Sequence, residues 1–133
     1  MKILFVCKYN RFRSRIAEAY FKKINRNRKI KARSGGIIIG EQVAKNVKQI
    51  ARKLGFRIFG RSKGIKESLL DETDLLIIVA NNVPQSIFRG RVKKIIVWKV
   101  PDTSQLDLKS IEKISREIMK RVDVLIKSLE NKK

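Results

Sequence analysis

An uninterrupted apolar segment near the middle of the chain, residues 75–80, strongly restricts the folds that the chain can adopt. The segment is far shorter than the ~18 to 20 apolar residues that cross a membrane, and the rest of the chain holds no longer one, so we expect no membrane span. Continuous apolar runs of this length are typical of parallel strands that are buried on both faces. Other elements must therefore cover both sides of this strand.

Strand and helix patterns alternate along the whole chain. Compact apolar or β-branched runs predict strands over 2–6, 29–34, 74–80 and 91–98. Apolar stripes at spacings of three and four predict helices over 14–25, 41–54 and about 108–129, with a shorter one over 83–88. The alternation predicts a single α/β domain over residues 1–133. Its three layers are a four-stranded parallel sheet and helices on both faces.

The net charge is extreme for a chain of 133 residues. Lys and Arg number 33 and Asp and Glu 12, so the formal charge is +21. This excess attracts anions such as phosphate esters, acidic proteins or nucleic acid, and it opposes self-association, which favours a monomer. The densest stretch, residues 22–33, is interpreted first as a solvated surface and second as a docking patch for an acidic phosphoprotein or nucleic acid. Nucleic acid is not favoured, because no recognised binding motif accompanies the stretch.

Two compositional limits narrow the chemistry. The chain has no His and one Cys, which excludes His-based catalysis, His-ligated metals, intramolecular disulfides and Cys-cluster metal sites. We expect no metal and no other cofactor. Proton transfer must come from carboxylates, Lys, Tyr or Cys7. The N-terminal apolar segment is too short for a signal peptide, so we expect a cytoplasmic protein.

The loop after the first strand, residues 7–14, carries the clearest chemistry. Cys7 ends the strand, Arg13 follows six residues later, and a helix begins at about Ser14. Such a loop can surround one tetrahedral oxyanion with backbone N–H groups, aided by the helix N-terminus and by a bidentate Arg13. The same field stabilises a thiolate, which makes Cys7 a candidate nucleophile. The predicted phosphate-binding residues are Lys8, Tyr9, Asn10, Arg11, Phe12, Arg13 and Ser14.

A second acid or base group is needed, and Asp102 is the candidate. Ligands of parallel α/β sheets bind at the carboxyl ends of the strands, where the loop over residues 99–105 can meet the first loop. Asp102 follows Pro101, which stiffens this loop. Its rival, Asp107, is interpreted as the N-cap of the last helix.

These motifs together resemble the low-molecular-weight protein tyrosine phosphatases, which share their fold with the thioredoxin-coupled arsenate reductases. The resemblance is closest over residues 3–19, from the first strand through Cys7 and Arg13 to Ala17-Glu18-Ala19. Ser34-Gly35-Gly36 and Val100-Pro101-Asp102 also fall where the family pattern expects them. The resemblance covers essentially the whole chain.

The resemblance implies a metal-independent, two-step hydrolysis of a phosphomonoester, on a protein or on a small molecule. Cys7 would attack phosphorus and form a phosphocysteine. Asp102 would protonate the leaving oxygen and then act as the base on water. Arg13 and the loop amides would stabilise the transition state, and inorganic phosphate or another oxyanion would occupy the loop.

The resemblance also implies a supporting role for three polar residues around the loop. Asn10 would hold the loop in a strained turn, and Ser14 would donate a hydrogen bond to the sulfur. Ser34 is the third supporting residue.

The sequence departs from the family at two points. Thr103 and Ser104 follow Asp102 where the family usually has aromatic residues, which leaves a preference for phosphotyrosine open. Tyr9, Arg11 and Phe12 either supply part of the missing wall or are packed and solvated loop residues. The family often has a His near Gly60, which this chain lacks.

Two other functions stay open. The single cysteine rules out an intramolecular disulfide relay, so an arsenate reductase would need an external thiol. The departure from the family pattern after Asp102 and the high charge are also compatible with a catalytically silent protein that binds oxyanions or nucleic acid.

Overall fold

The computed structural model of the protein describes residues 1–131. Its strands are β1 (Lys2–Cys7), β2 (Lys31–Gly36), β3 (Leu75–Val79) and β4 (Lys94–Trp98). Its helices are α1 (Arg13–Ile24), α2 (Lys45–Lys53), α3 (Glu67–Glu72) and α4 (Leu108–Glu130), and a 3-10 helix spans Gln85–Phe88. No helix within residues 1–131 has the length and apolar character to cross a membrane.

The four strands form one parallel sheet in the order β2-β1-β3-β4. The predicted four-stranded parallel α/β fold is therefore confirmed. Because all strands run the same way, their carboxyl ends lie at one edge, and the loops that follow them converge there. The boundaries of the predicted single domain, residues 1–133, stay a prediction.

The two inner strands bury alternate side chains in two separate cores. Phe5 of β1 and Ile77 of β3 face the larger core, which α1, α2 and α4 cover. Leu4 and Ile78 face the smaller core, which α3 and the 3-10 helix cover. Burial of each large apolar side chain contributes roughly 1.5–3 kcal/mol to stability. Packing on both faces therefore fixes the position of β1, which ends at Cys7.

The end of β2 differs from the prediction. The strand spans Lys31–Gly36 rather than 29–34, so Gly35 and Gly36 lie within the strand and not after it. A Cβ atom on Gly36 would lie 2.7 Å from backbone atoms of both Tyr9 and Asn10. Glycine at this position therefore lets the strand continue directly beside the loop that follows β1.

Other elements begin later than predicted, and one was missed. The second helix begins at Lys45 rather than at 41, and the last strand at Lys94 rather than at 91. Helix α3 was not predicted because its six residues bury only Leu70, which gives no periodic stripe. Asp107 is the N-cap of α4, as predicted, and its carboxylate accepts a hydrogen bond from the Ser110 amide.

Candidate active site

The loop between β1 and α1 holds the cysteine sulfur against the start of the helix. Cys7 is buried, and its Sγ lies 2.9 Å from Ser14 Oγ and 3.4 Å from the Ser14 amide nitrogen. Asn10 Nδ2 donates to the same Ser14 oxygen at 2.8 Å, which leaves the Ser14 hydroxyl hydrogen available for the sulfur. The first turn of α1 contains no acidic residue, so the end of the helix dipole that faces the loop is not neutralised.

Asn10 is the residue that fixes the shape of this loop. Within residues 1–131 it is the one non-glycine residue with a positive φ, at 54°. Its side chain is fully buried and makes three hydrogen bonds, to Ser14 Oγ, to Ser34 Oγ at 2.9 Å and from the Lys63 amide at 2.8 Å. The bonds stabilise a left-handed conformation that costs roughly 1–2 kcal/mol without such support.

The hydrogen bonds continue from Ser34 to a buried carboxylate. Ser34 Oγ donates to Glu18 Oε1 at 2.6 Å, and Glu18 is 6% exposed. Lys22 Nζ lies 2.8 Å from Glu18 Oε2, and Arg15 Nε lies 3.8 Å from Oε1. The sulfur of Cys7 is thereby linked through Ser14, Asn10 and Ser34 to Glu18, which was not predicted as a site residue.

Arg15 connects helix α1 to the segment around Gly60. Its buried guanidinium donates to the carbonyl oxygens of Phe59 and Gly60. Burial lowers the pKa of Arg15, and the negative charge of Glu18 opposes that effect. The segment held in this way continues to Lys63, whose amide supports Asn10.

Arg13 joins the loops that follow three different strands. Its guanidinium donates to the Val100 carbonyl at 2.9 Å and to Asn82 Oδ1 at 3.0 Å, and it lies 3.9 Å from Asp102 Oδ2. Burial lowers the pKa of Arg13, while the nearby Cys7 and Asp102 raise it. Asn82 follows β3 and was not predicted, although its position at a strand's carboxyl end was the available signal.

Asp102 faces the phosphate loop, so the two predicted loops meet at the sheet edge. Besides its approach to Arg13, its Oδ2 lies 3.2 Å from Arg11 Nη2. Its Oδ1 accepts a hydrogen bond from the Thr103 amide at 2.9 Å. The carboxylate is 22% exposed, so water and a substrate can reach it.

The rim of the site carries two cations and one aromatic ring. The Arg11 guanidinium lies 4.6 Å from the centre of the Tyr9 ring, and Lys8 Nζ lies 5.3 Å from it. Arg11 also approaches Glu41 at 3.7 Å. Phe12 does not contribute a wall, because its side chain is buried in the larger core while its backbone belongs to the loop.

The described residues offer no cluster that resembles a metal centre. Within residues 1–131, no three His, Cys, Asp or Glu side chains lie close enough together to hold a metal ion. The polar groups near Cys7 are instead hydrogen-bond donors and guanidinium groups, which suit an oxyanion.

The fold and this loop are typical of α/β enzymes that use a cysteine, a class that includes phosphatases and arsenate reductases. The model of the low molecular weight phosphotyrosine protein phosphatase family matches residues 2–133, and the chain belongs to this family. No curated protein matches the chain significantly. Family membership supports phosphatase-type activity that depends on a cysteine.

Three solved structures illustrate the range of the fold. The low molecular weight protein tyrosine phosphatase of T. tengcongensis is 26% identical, with a TM-score of 0.83 over 96% of this chain and 99% of that one. An arsenate reductase of Archaeoglobus fulgidus is 26% identical, with a TM-score of 0.77 over 93% and 98%. A YwlE arginine phosphatase with a phosphorylated serine in place of its active-site cysteine is 21% identical, with a TM-score of 0.87 over 100% and 98%, and shows the fold alone.

Proposed function

We propose that the protein hydrolyses phosphomonoesters through a phosphocysteine on Cys7. The observation that carries this proposal is the convergence of a nucleophile, a cation and a carboxylate at one sheet edge. Ser14 approaches the sulfur at 2.9 Å, and Asp102 approaches Arg13 at 3.9 Å although the two lie on loops far apart in the chain. This arrangement supports the assignment of one step of the reaction to each group.

In the first step the phosphoryl group transfers to sulfur. The phosphate binds to the amides of residues 8–13 and to Arg13, and Cys7 Sγ attacks phosphorus in line. The S–P bond forms as the ester P–O bond breaks, and the protonated Asp102 gives its proton to the leaving oxygen. Arg13 and the amides stabilise the charge on the equatorial oxygens, where loss of one donor typically costs about 10²–10³ in rate.

In the second step water releases the phosphate. The Asp102 carboxylate takes a proton from water as the water oxygen attacks phosphorus, and the S–P bond breaks. The electron pair returns to the Cys7 sulfur, where the Ser14 hydroxyl and amide stabilise the thiolate. Asn10 and Ser34 keep these donors in place by fixing the loop.

The rim supports a phosphomonoester on a small molecule or a protein, without a specific pocket for an aromatic ring. Tyr9 is the one aromatic side chain of the loop that reaches the rim, and Thr103 and Ser104 flank the acid. Lys8 and Arg11 favour substrates that are negatively charged around the phosphate. With a charge of +21, we expect the enzyme to act as a monomer.

Arsenate reduction with an external thiol is the second candidate. The Archaeoglobus fulgidus arsenate reductase is as similar in sequence as the tyrosine phosphatase, and arsenate has the geometry of phosphate. Because Cys7 is the single cysteine, a thiol from outside the chain would have to supply the electrons and release Cys7 from the resulting disulfide.

Steady-state assays in EDTA distinguish these candidates. We expect wild type to hydrolyse p-nitrophenyl phosphate and the Cys7→Ser variant to show no turnover. Parallel reactions contain a phosphotyrosine peptide, phosphoarginine, or arsenate with glutathione. Reduction of arsenate by glutathione without hydrolysis of any phosphorylated substrate would support the second candidate. Undiminished hydrolysis by Cys7→Ser would refute the phosphocysteine mechanism.

A further inference from the structure

A groove system follows the β2 edge of the sheet, and none of its lining residues belongs to the loop over residues 7–14. The largest groove, about 890 Å³, lies between the loop over residues 25–30, β2 and the start of β1. It shares Arg26 and Arg28 with a second groove of about 610 Å³ beside the end of α4. It shares Arg33 with a third of about 450 Å³ beside α3. The three grooves thus form one continuous surface.

Of the exposed cations that line this surface, five lie close together along the loop over residues 25–30 and β2, and we name them the basic track: Arg26, Arg28, Lys29, Lys31 and Arg33. None of them forms an ion pair with a carboxylate of residues 1–131. The acidic residues that line the grooves are Glu72, which pairs with Lys2 at 3.4 Å, and Glu130. The track is therefore an uncompensated positive surface.

Two of the six cations on α4 differ from the track residues, because each pairs with a carboxylate of the same helix. Arg116 pairs with Glu112 at 2.9 Å, and Arg121 pairs with Glu117 at 3.5 Å. Carboxylates one helical turn away thus neutralise these two arginines, whereas none pairs with a residue of the track. A polyanion would supply the missing charge and relieve the repulsion among the track residues.

The loop that begins the track is held in a fixed shape. Asn25 Nδ2 donates to the carbonyls of Asn27 and Ile30, and the Asn27 amide donates back to Asn25 Oδ1. The Lys29 amide donates to Asn27 Oδ1, and the Met1 ammonium donates to the Lys29 carbonyl. The cations therefore project from a preorganised backbone, which lowers the entropic cost of binding a ligand.

The dimensions and lining favour a duplex over other polyanions. Lys31 and Arg33 lie about 6.6 Å apart on the same side of β2, and the whole strand spans roughly 17 Å, along which duplex DNA presents about ten phosphates. The one aromatic residue in the three linings, Phe21, is buried, so unpaired bases have no surface on which to stack.

We propose that the basic track binds the phosphate backbone of a nucleic-acid duplex without sequence preference. Backbone binding needs no base-reading motif, so the absence of one in the sequence does not oppose it. The proposal is independent of the phosphatase proposal, because none of the five residues belongs to the phosphate loop. Lys2 and Cys7, at the two ends of β1, are about 17 Å apart along the strand.

The test compares two variants of equal net charge. The track variant carries Arg26→Gln, Arg28→Gln, Lys31→Gln and Arg33→Gln. The control variant removes four exposed cations that line none of the three grooves, and its changes are Lys48→Gln, Lys109→Gln, Lys113→Gln and Lys120→Gln. Fluorescence anisotropy measures binding of labelled duplex DNA and duplex RNA of about 20 base pairs at about 50–200 mM salt.

For wild type and control we expect a slope of log K against log salt of about −4.5, from five phosphate contacts at ~0.9 each. The track variant should show a slope of about −1 and bind on the order of 100-fold more weakly at the lowest salt. Its thermal midpoint and its p-nitrophenyl phosphate hydrolysis should match those of the control. Two double variants, Arg26→Gln with Arg28→Gln and Lys31→Gln with Arg33→Gln, should each show about half of the change in salt slope that the fourfold track variant shows.

Three results would overturn the proposal. An equal loss of duplex affinity in the track and control variants would show that binding depends on net charge alone and not on the track. Tighter binding of single-stranded DNA or of polyglutamate than of either duplex would identify another class of ligand. Wild-type binding too weak to measure at about 50 mM salt would show that the track holds no duplex.

Discussion

The floor and the rim of the candidate site are built in opposite ways. In the floor, Asn10, Ser34 and Glu18 are buried and connected by hydrogen bonds. At the rim, Arg11 and Asp102 are partly exposed and joined by an ion pair at 3.2 Å, with longer ion pairs to Glu41 at 3.7 Å and to Arg13 at 3.9 Å. Buried polar networks are costly to disturb, whereas exposed ion pairs typically contribute about 0–1 kcal/mol. The floor should therefore control stability and activity together, and the rim should control activity alone.

The largest effect is expected for Asn10→Ala in the floor. The substitution removes one hydrogen bond each from Ser14 and Ser34, leaves the Lys63 amide without its partner and places Ala in a left-handed conformation. We expect the free energy of unfolding to fall by about 2–4 kcal/mol and kcat/KM to fall by roughly 10²-fold or more. Urea denaturation measures the free energy of unfolding, and kinetics with p-nitrophenyl phosphate measure kcat/KM. Asn46→Ala, which removes one hydrogen bond to the Gln105 carbonyl, is the matched control and should cost about 1 kcal/mol.

Glu18→Gln should destabilise the floor at the end of the hydrogen-bond network that is farthest from Cys7. The change removes the charge that Arg15 and Lys22 face and leaves the buried Arg15 guanidinium without its carboxylate. We expect a loss of about 2–3 kcal/mol in unfolding free energy, with a smaller fall in kcat than Asn10→Ala produces. Chemical denaturation compares the unfolding free energies of Glu18→Gln and Asn10→Ala. A Glu18→Gln variant as stable as wild type would contradict the assigned role of the network.

Asp102→Asn separates the rim from the floor. The variant keeps the size of the side chain but cannot transfer the proton, so kcat should fall by about 10²–10⁴ with little change in KM. Unfolding free energy should change by less than about 1 kcal/mol. Kinetics with p-nitrophenyl phosphate and a denaturation curve on the same sample give both numbers. A stability loss as large as that of Asn10→Ala would contradict the comparison.

The smallest effect is expected for Arg11→Met. Arg11 pairs with Asp102 and Glu41 at the rim and packs over Tyr9, and its side chain forms no hydrogen bond with Asn10, Ser34 or Glu18. We expect KM for p-nitrophenyl phosphate to rise by a few-fold and the unfolding free energy to change by less than about 0.5 kcal/mol. Steady-state kinetics at two salt concentrations measure the effect, which should shrink at higher salt because exposed charges are screened.

The sequence predicted the parts of the site that are local in the chain. Cys7, Arg13 and Ser14 lie within one strand-loop-helix unit, so their spacing alone indicates an oxyanion loop. Asp102 was predicted because it follows the fourth strand in a parallel sheet, and the structure brings its loop to Arg13. The alternating pattern of strands and helices was sufficient for the fold.

The missed residues act through contacts that spacing does not encode. Arg15 reaches the carbonyls of Phe59 and Gly60 across a long sequence separation, and as a charged residue at a helix start it resembles a solvated side chain. Glu18 is recognisable as structural only once Ser34 is seen to donate to it. Asn82 lies in a loop, residues 80–84, that contains no titratable group, so its position at a strand's carboxyl end was the one signal available.

The central claim is that Cys7 carries the phosphoryl group, and trapping the intermediate tests it most directly. Wild type and Asp102→Asn are mixed with radiolabelled p-nitrophenyl phosphate, quenched in acid within milliseconds and digested, and the label is located by peptide mapping. The control is Cys7→Ala, because a serine at this position can itself accept phosphate, as it does in the YwlE variant. The account predicts label on the peptide that contains Cys7, and none in Cys7→Ala. Hydrolysis without label on that peptide, or with equal label in Cys7→Ala, would contradict it.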